Sequence, residues 1–222
     1  MNYEFIAETE LFKGSSVEEI RNMLDCLQAK VKKFAKGEYV YRIGDKVNSL
    51  GLILSGSVNI ERDEILGNHT IFSNIQAGNV FAETYACLGK EPLMINVVTV
   101  EKTEILFLNM EHLLKTCSSN CEFHNKTIKN LLSVLSKKNL NLTRKINILT
   151  QRSIREKILT YLSFQSIKNG SSKFEIPFNR QQLADYLCVD RSALSAELSR
   201  MQKENLISYH KNKFCINIDT FL

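Results

Sequence analysis

The chain has 222 residues, 44% of them hydrophobic and 24% charged, with a formal net charge of +5. That length supports one large or two modest domains around a sizeable core, and the composition excludes an intrinsically disordered chain. Met1–Glu10 is acidic with no basic region leading into an apolar run, and no stretch approaches a membrane-spanning helix, so a soluble cytoplasmic protein without a membrane partner is expected.

The charge is unevenly spread. Residues 1–117 carry 12 Lys and Arg against 16 Asp and Glu, residues 118–150 carry 6 against 1, and residues 151–222 carry 11 against 7. An acidic N-terminal half followed by a basic remainder points to an anionic partner for the C-terminal part. The six cysteines (Cys26, Cys87, Cys117, Cys121, Cys188 and Cys215) follow no repeated spacing and read as free thiols. Cys117 and Cys121, four apart, would share a helix face, where two small buried hydrophobes are the ordinary reading.

Residues 15–28 look helical, with Ser16 and Glu19 spaced for a capping box. From Lys33 to about Leu108 the chain turns to short alternating segments punctuated by glycine, which predicts a small antiparallel β barrel or roll. Between about Ser118 and Thr150 the period becomes that of a long helix. Ile128, Leu135, Leu142 and Leu149 recur every seven residues, with Leu132, Asn139 and Ile146 at the offset of four. This narrow seam, with Asn139 to fix register, predicts homodimerisation through the helix; for its first turns, packing on its own domain is the plain alternative.

Beyond Gln151 the order is helix over 153–162, strand over 173–178, two helices and a hairpin broken at Lys211-Asn212. The two helices fit a helix-turn-helix. Ala184 stands where the second helix must cross the first, Leu183, Leu187, Val189, Leu194 and Leu198 fill the angle, and Asp190 can cap the second helix. Arg191, Ser192 and Ser195 then lie outward at the end that enters a major groove. Arg191 can take a guanine edge or a phosphate, while Arg180, Arg200, Lys203, Lys211 and Lys213 fit phosphate contact. The turn position holds Cys188, where a left-handed backbone is usual and glycine would be easier. A strained turn with an inert thiol is the expectation, against a redox sensor.

This order of parts resembles the CRP/FNR family of bacterial transcription regulators over nearly the whole chain. The resemblance rests on Lys36-Gly-Glu-Tyr-Val-Tyr-Arg-Ile-Gly-Asp45, Leu54-Ser-Gly-Ser-Val-Asn-Ile60, Gly78-Asn-Val-Phe-Ala-Glu83, and Asn179-Arg-Gln-Gln-Leu-Ala-Asp-Tyr-Leu187 through Asn205-Leu-Ile207. It implies an α+β protein: an N-terminal antiparallel β-roll (double-stranded β-helix) sensor over 1–117, a dimerisation helix over 118–150 and a winged helix-turn-helix over 151–222. The implied function is a homodimeric, non-enzymatic regulator that binds a palindromic site in double-stranded DNA and meets RNA polymerase if it activates.

The resemblance leaves the effector open. Cyclic-AMP-binding members place an Arg-Ser or Arg-Thr pair on the cyclic phosphate, and about Leu93 and Met94 occupy those positions here; Ala82 replaces the glycine before Glu83. Cyclic AMP is therefore not expected. The N-terminal cysteine group of the iron–sulfur members is also missing. Haem-binding members use His or Cys, for which His69, His112 and His124 are the candidates, with a surface or capping role the ordinary reading. A small organic effector among Phe81, Glu83, Tyr85, Leu93 and Met94 is the expectation. No nucleophile elbow, HExxH, P-loop or dinucleotide fingerprint suggests an enzyme. The remaining alternative is a ligand, haem, gas or redox-sensing module with weak or no specific DNA binding.

Overall fold

The computed structural model describes residues 1–63, 69–114 and 122–217. Cys117, Cys121 and the first predicted residues of the long helix lie outside them. The chain forms two compact units, Met1–Lys137 and Lys138–Leu222, and the long predicted helix contributes to both.

The first unit begins with α1 (Tyr3–Glu8) and α2 (Val17–Cys26), and α2 opens on the expected capping box. Ser16 Oγ accepts from Glu19 N at 3.2 Å, and the Glu19 carboxylate accepts from Ser16 N at 2.7 Å. The strands are β1 (Lys30–Phe34), β2 (Tyr39–Tyr41), β3 (Ser49–Ser55), β4 (Ser57–Asp63), β5 (His69–Gln76), β6 (Val80–Phe81), β7 (Asn96–Thr99) and β8 (Thr103–Asn109). They pair antiparallel in two four-stranded sheets, β1-β8-β3-β6 and β2-β7-β4-β5.

Alternation was the sign that suggested strands, yet β3 is buried almost continuously from Leu50 to Ile53. Both of its faces are covered. Leu50 and Leu52 join a cluster with Ile6, Phe12, Ile20 and Leu24 of the N-terminal segment, while Ile53 joins Val58, Phe81, Val97 and Ile105 from both sheets. Gly51 lies opposite Phe81 in the β3–β6 pair. A Cβ at Gly51 would come within 2.3 Å of the Phe81 ring, so only glycine lets the ring close over the strand.

Two short helices interrupt the roll, α3 (Glu83–Leu88) and α4 (Met110–Leu114). Ala82, ahead of α3, takes a left-handed φ of 58°, a conformation glycine adopts more easily. The 28-residue α5 (Glu122–Leu149) follows. Ile128, Leu131, Val134 and Leu135 pack on the first unit's own core. Two predicted seam residues of the first turns, Ile128 and Leu135, thus share their surface with the sensor unit. Off that packed face Leu132, and further along Leu142 and Ile146, are 57%, 63% and 61% exposed, with Asn139 exposed among them.

The second unit adds α6 (Ile154–Asn169), β9 (Lys173–Glu175), α7 (Arg180–Leu187), α8 (Arg191–Lys203), β10 (Ile207–His210) and β11 (Lys213–Ile216). Its sheet runs β10-β11-β9, antiparallel throughout. Tyr161, Leu162, Ile176, Leu183, Leu194, Leu198 and Phe214 belong to one separate core. The predicted strand stops at Glu175, ahead of Pro177, which has no N–H for a ladder, and α6 runs past the predicted 162 to Asn169.

Candidate nucleic-acid interface

Two helices meet here across a three-residue turn. Asn179 caps α7 through a reciprocal box with Gln182, both bonds at 2.9 Å. Ala184 is fully buried, the small residue that lets α7 and α8 cross closely, and Leu183, Leu187, Leu194 and Leu198 are buried around it. Cys188 ends α7 with φ 52° and ψ 55°, the left-handed conformation, and its side chain is exposed. Val189 N donates back to Ala184 O at 3.0 Å, which closes the turn.

Lysines on neighbouring helices satisfy the last carbonyls of α7. The Lys145 ammonium donates to Tyr186 O and stands 3.5 Å over the Tyr186 ring, and Lys157 Nζ donates to Leu187 O at 3.3 Å. Desolvation lowers the Lys145 pKa. The two cations also suit the negative end of the α7 dipole.

Asp190 caps α8. One carboxylate oxygen accepts from Ser192 N at 2.8 Å and Ala193 N at 3.0 Å, and also from the Ser192 hydroxyl. The Ser192 side-chain bond, followed by these backbone bonds, holds the Asp190 carboxyl below its ordinary value. Ser195 Oγ donates to Arg191 O at 2.9 Å and Ser199 Oγ to Ser195 O at 2.9 Å. Arg191, Ser195 and Ser199 therefore form one line along α8 at steps of four. Ser199 was not singled out in the sequence, although its four-residue step from Ser195 was the available signal.

Arg191 is exposed, and its guanidinium has no hydrogen-bond or ion-pair partner among the described residues. Glu197, a natural candidate to pair with it, is occupied by Arg155 Nε at 2.7 Å and Arg200 at 3.3 Å. The remaining Arg155 nitrogens hold both oxygens of Glu204, at 2.7 and 2.9 Å. Arg155 thereby fixes α6 to two turns of α8; no local pattern marks this contact, which joins residues 49 apart.

Lys211 and Lys213 are exposed at and beside the hairpin turn, with Lys211 at φ 55°. Arg180 lies beneath that hairpin. Its guanidinium is 4.7 Å from the Tyr209 ring centre and 5.6 Å from that of Phe214, and it donates to Lys211 O at 3.3 Å. Burial lowers its pKa. Arg180 thus has a structural engagement that Arg191, Lys211 and Lys213 lack.

In the sensor unit, Phe81 is packed on Gly51, Leu93 is buried, Glu83 is buried in the first turn of α3 and Tyr85 is half-buried. Met94 stands 63% exposed, apart from the buried members of the expected effector group. His112 is half-exposed in α4, and His124 is buried with neither ring nitrogen hydrogen-bonded. The side chain of His69 lies outside the described residues. Among the described residues no three of His, Cys, Asp and Glu gather as a metal site.

Two family descriptions match the chain: the cyclic nucleotide-binding domain over residues 31–120 and the Crp-like helix-turn-helix domain over 156–219. Electron transport regulator A of Shewanella oneidensis is 22% identical over 209 residues, covering 89% of this chain and 78% of that protein. The catabolite activator protein of Thermus thermophilus superposes with a TM-score of 0.56 at 20% identity, covering 96% of both chains. The c-di-GMP-responsive global regulator CLP of Xanthomonas campestris gives a TM-score of 0.55 at 19% identity, covering 90% of this chain and 99% of that one. These two likenesses support the fold.

Proposed function

Since this chain belongs to the CRP/FNR family of transcription regulators, we propose that it acts as a homodimer that reads a palindromic DNA site with the N-terminal ends of two α8 helices. The family consists of regulators and not enzymes. The observation that carries the reading is the unpaired Arg191 guanidinium at the start of α8, beyond a turn whose packing and caps are complete. Lys211 and Lys213 on the wing and Arg200 on α8 supply phosphate contacts, with Ser192 and Ser195 on the groove side. Asp190 acts by capping, and Arg180 by holding the wing. The dimer forms through Leu132, Asn139, Leu142 and Ile146, flanked by Ile128, Leu135 and Leu149. In an activator, RNA polymerase is the further partner.

The β-roll senses the effector, with Glu83 as its buried polar anchor beside Tyr85. A cyclic nucleotide in the family's usual pose does not fit: buried Leu93 and exposed Met94 offer no cation to a desolvated phosphate. The other readings are haem ligated by His69, His112 or His124 and a redox response at the exposed Cys188 thiol.

Selection from random duplexes tests the DNA reading. A twofold-symmetric site should emerge, with log K falling steeply against log[salt] as several phosphates are neutralised. Arg191→Ala should then lower the preference for that site over random duplex by about tenfold or more, the equivalent of roughly 1–3 kcal/mol for a bidentate base contact. Equal loss on both duplexes would restrict Arg191 to a phosphate, and no selected sequence at all would overturn the reading.

A further inference from the structure

The second unit contains a cavity of about 310 Å³ that the DNA-reading function does not use. From α5 come Asn141, Arg144 and Ile148, and from α6 Tyr161, Phe164, Gln165 and Lys168, each set at steps of three and four that place it on one helix face. Tyr186 of α7 completes the wall.

Three features distinguish it from a packing gap. First, Tyr161 is 2% exposed and its hydroxyl has no hydrogen-bond partner, a cost that a buried hydroxyl rarely bears in the finished state. Second, Arg144 and Lys168 have no ion-pair or hydrogen-bond partner among the described residues, so two cations stand free at one small cavity. Third, the aromatic wall is braced: Tyr161 and Tyr186 have ring centres 5.4 Å apart, Phe178 lies 4.9 Å from Tyr186, and Lys145 covers Tyr186 at 3.5 Å.

We propose that this cavity is a ligand site for a small aromatic anion, a single-ring carboxylate or phosphate ester. Ligand pockets span roughly 300–1,000 Å³, so this one is limited to a single ring. The ring packs on Tyr161, Phe164 and Tyr186. The acid group meets the Arg144 fork and the Lys168 ammonium, and the Tyr161 hydroxyl donates the remaining hydrogen bond. A phenol raised in pKa by burial stays protonated at neutral pH and keeps its donor. The same α7 that carries Tyr186 leads directly into the Cys188 turn and α8, so occupancy bears on the DNA-reading helix. This site is separate from the effector site of the β-roll.

Calorimetric titration of the full chain, without DNA, tests the proposal with benzoate, salicylate and phenyl phosphate as probes and cyclohexanecarboxylate and inorganic phosphate as controls. At least one aromatic probe should bind saturably, one per chain, and more tightly than either control. Arg144→Gln should weaken it about tenfold or more, the loss of a charge-assisted pair. Tyr161→Phe should weaken it several-fold while leaving the ligand-free melting temperature unchanged or higher, because no protein bond is lost. No binding of any aromatic probe at millimolar concentration overturns the proposal. So does binding indifferent to Arg144→Gln, or a Tyr161→Phe chain that melts lower and binds normally. None of these outcomes depends on whether the protein reads DNA.

Discussion

The Arg155 guanidinium donates two parallel hydrogen bonds to the Glu204 carboxylate, at 2.7 and 2.9 Å, while its third nitrogen holds Glu197 at 2.7 Å. The pairing requires a planar fork, and it ties the start of α6 to the middle and end of α8. Arg155→Lys keeps the charge and loses the fork. It should lower the melting temperature by only about 2–4 °C, since the Glu204 pair is exposed and such pairs stabilise little, while a lysine keeps a charge for the part-buried Glu197. DNA affinity should fall several-fold, because α8 loses its brace. Anisotropy titrations against the selected duplex check this, and wild-type affinity would show that the α7–α8 packing positions the helix unaided.

Asp190 makes the stability of the second unit depend on acid. Its folded pKa lies below the ordinary 3.8, chiefly through the Ser192 side-chain bond and then the backbone bonds of Ala193 and Ser192. The cap therefore contributes fully above that ordinary value, and its contribution is lost as pH falls through the lowered one. Asp190→Asn retains an acceptor for the backbone and cannot ionise. Its melting temperature should match the wild type within about 2 °C at neutral pH and fall less steeply toward acid. Asp190→Ala should melt about 5 °C lower at neutral pH, as a lost N-cap does. Thermal melts followed by circular dichroism across that range decide it.

Cys188 spends its position in a left-handed conformation at φ 52°. Cys188→Gly should raise stability by up to about 1 kcal/mol, because the strain of a side chain at this φ slightly exceeds the entropy glycine loses on folding. Cys188→Val should lower it, since a branched Cβ suffers more there. DNA affinity should be unchanged by the glycine. Loss of an oxidant-dependent change in DNA binding on Cys188→Gly would give the thiol a sensing role.

The helix-turn-helix was legible because its demands are local: a small Ala184, apolar plugs at fixed steps, a capping Asp190 and a compact residue in the turn all fall within a dozen positions. The roll was legible from its turns more than from its strands. Alternation fails for β3, where Leu50, Leu52 and Ile53 serve two cores and the burial runs on without a break. The effector group drawn from Phe81 to Met94 was the least legible part, because sequence proximity does not say which side chains close on the core. Phe81 closes over Gly51, and Met94 faces solvent. Arg155, Lys145 and Lys157 left no trace in any motif. Long cationic side chains reach partners on other helices, and nothing in the local pattern marks which ones they find.

Leu142 and Ile146 provide the sharpest trial of the dimer. Leu135 is a poor probe although it lies on the seven-residue repeat, since it packs against the first unit's core and an aspartate there would damage the fold as well as the seam. Leu142 and Ile146 are more than three-fifths exposed in the single chain and belong to none of the three core clusters, so changing them spares the fold. In a twofold interface each residue is met twice. Removing about 1.5–3 kcal/mol per buried side chain, four side chains in all, should weaken the dimer of Leu142→Asp/Ile146→Asp by roughly ten-thousandfold or more. Sedimentation should show a monomer with wild-type circular dichroism, and affinity for the palindrome should collapse toward that for a single half-site. A double variant that sediments as a dimer would move the interface off this stripe and leave Asn139 as an ordinary exposed polar residue.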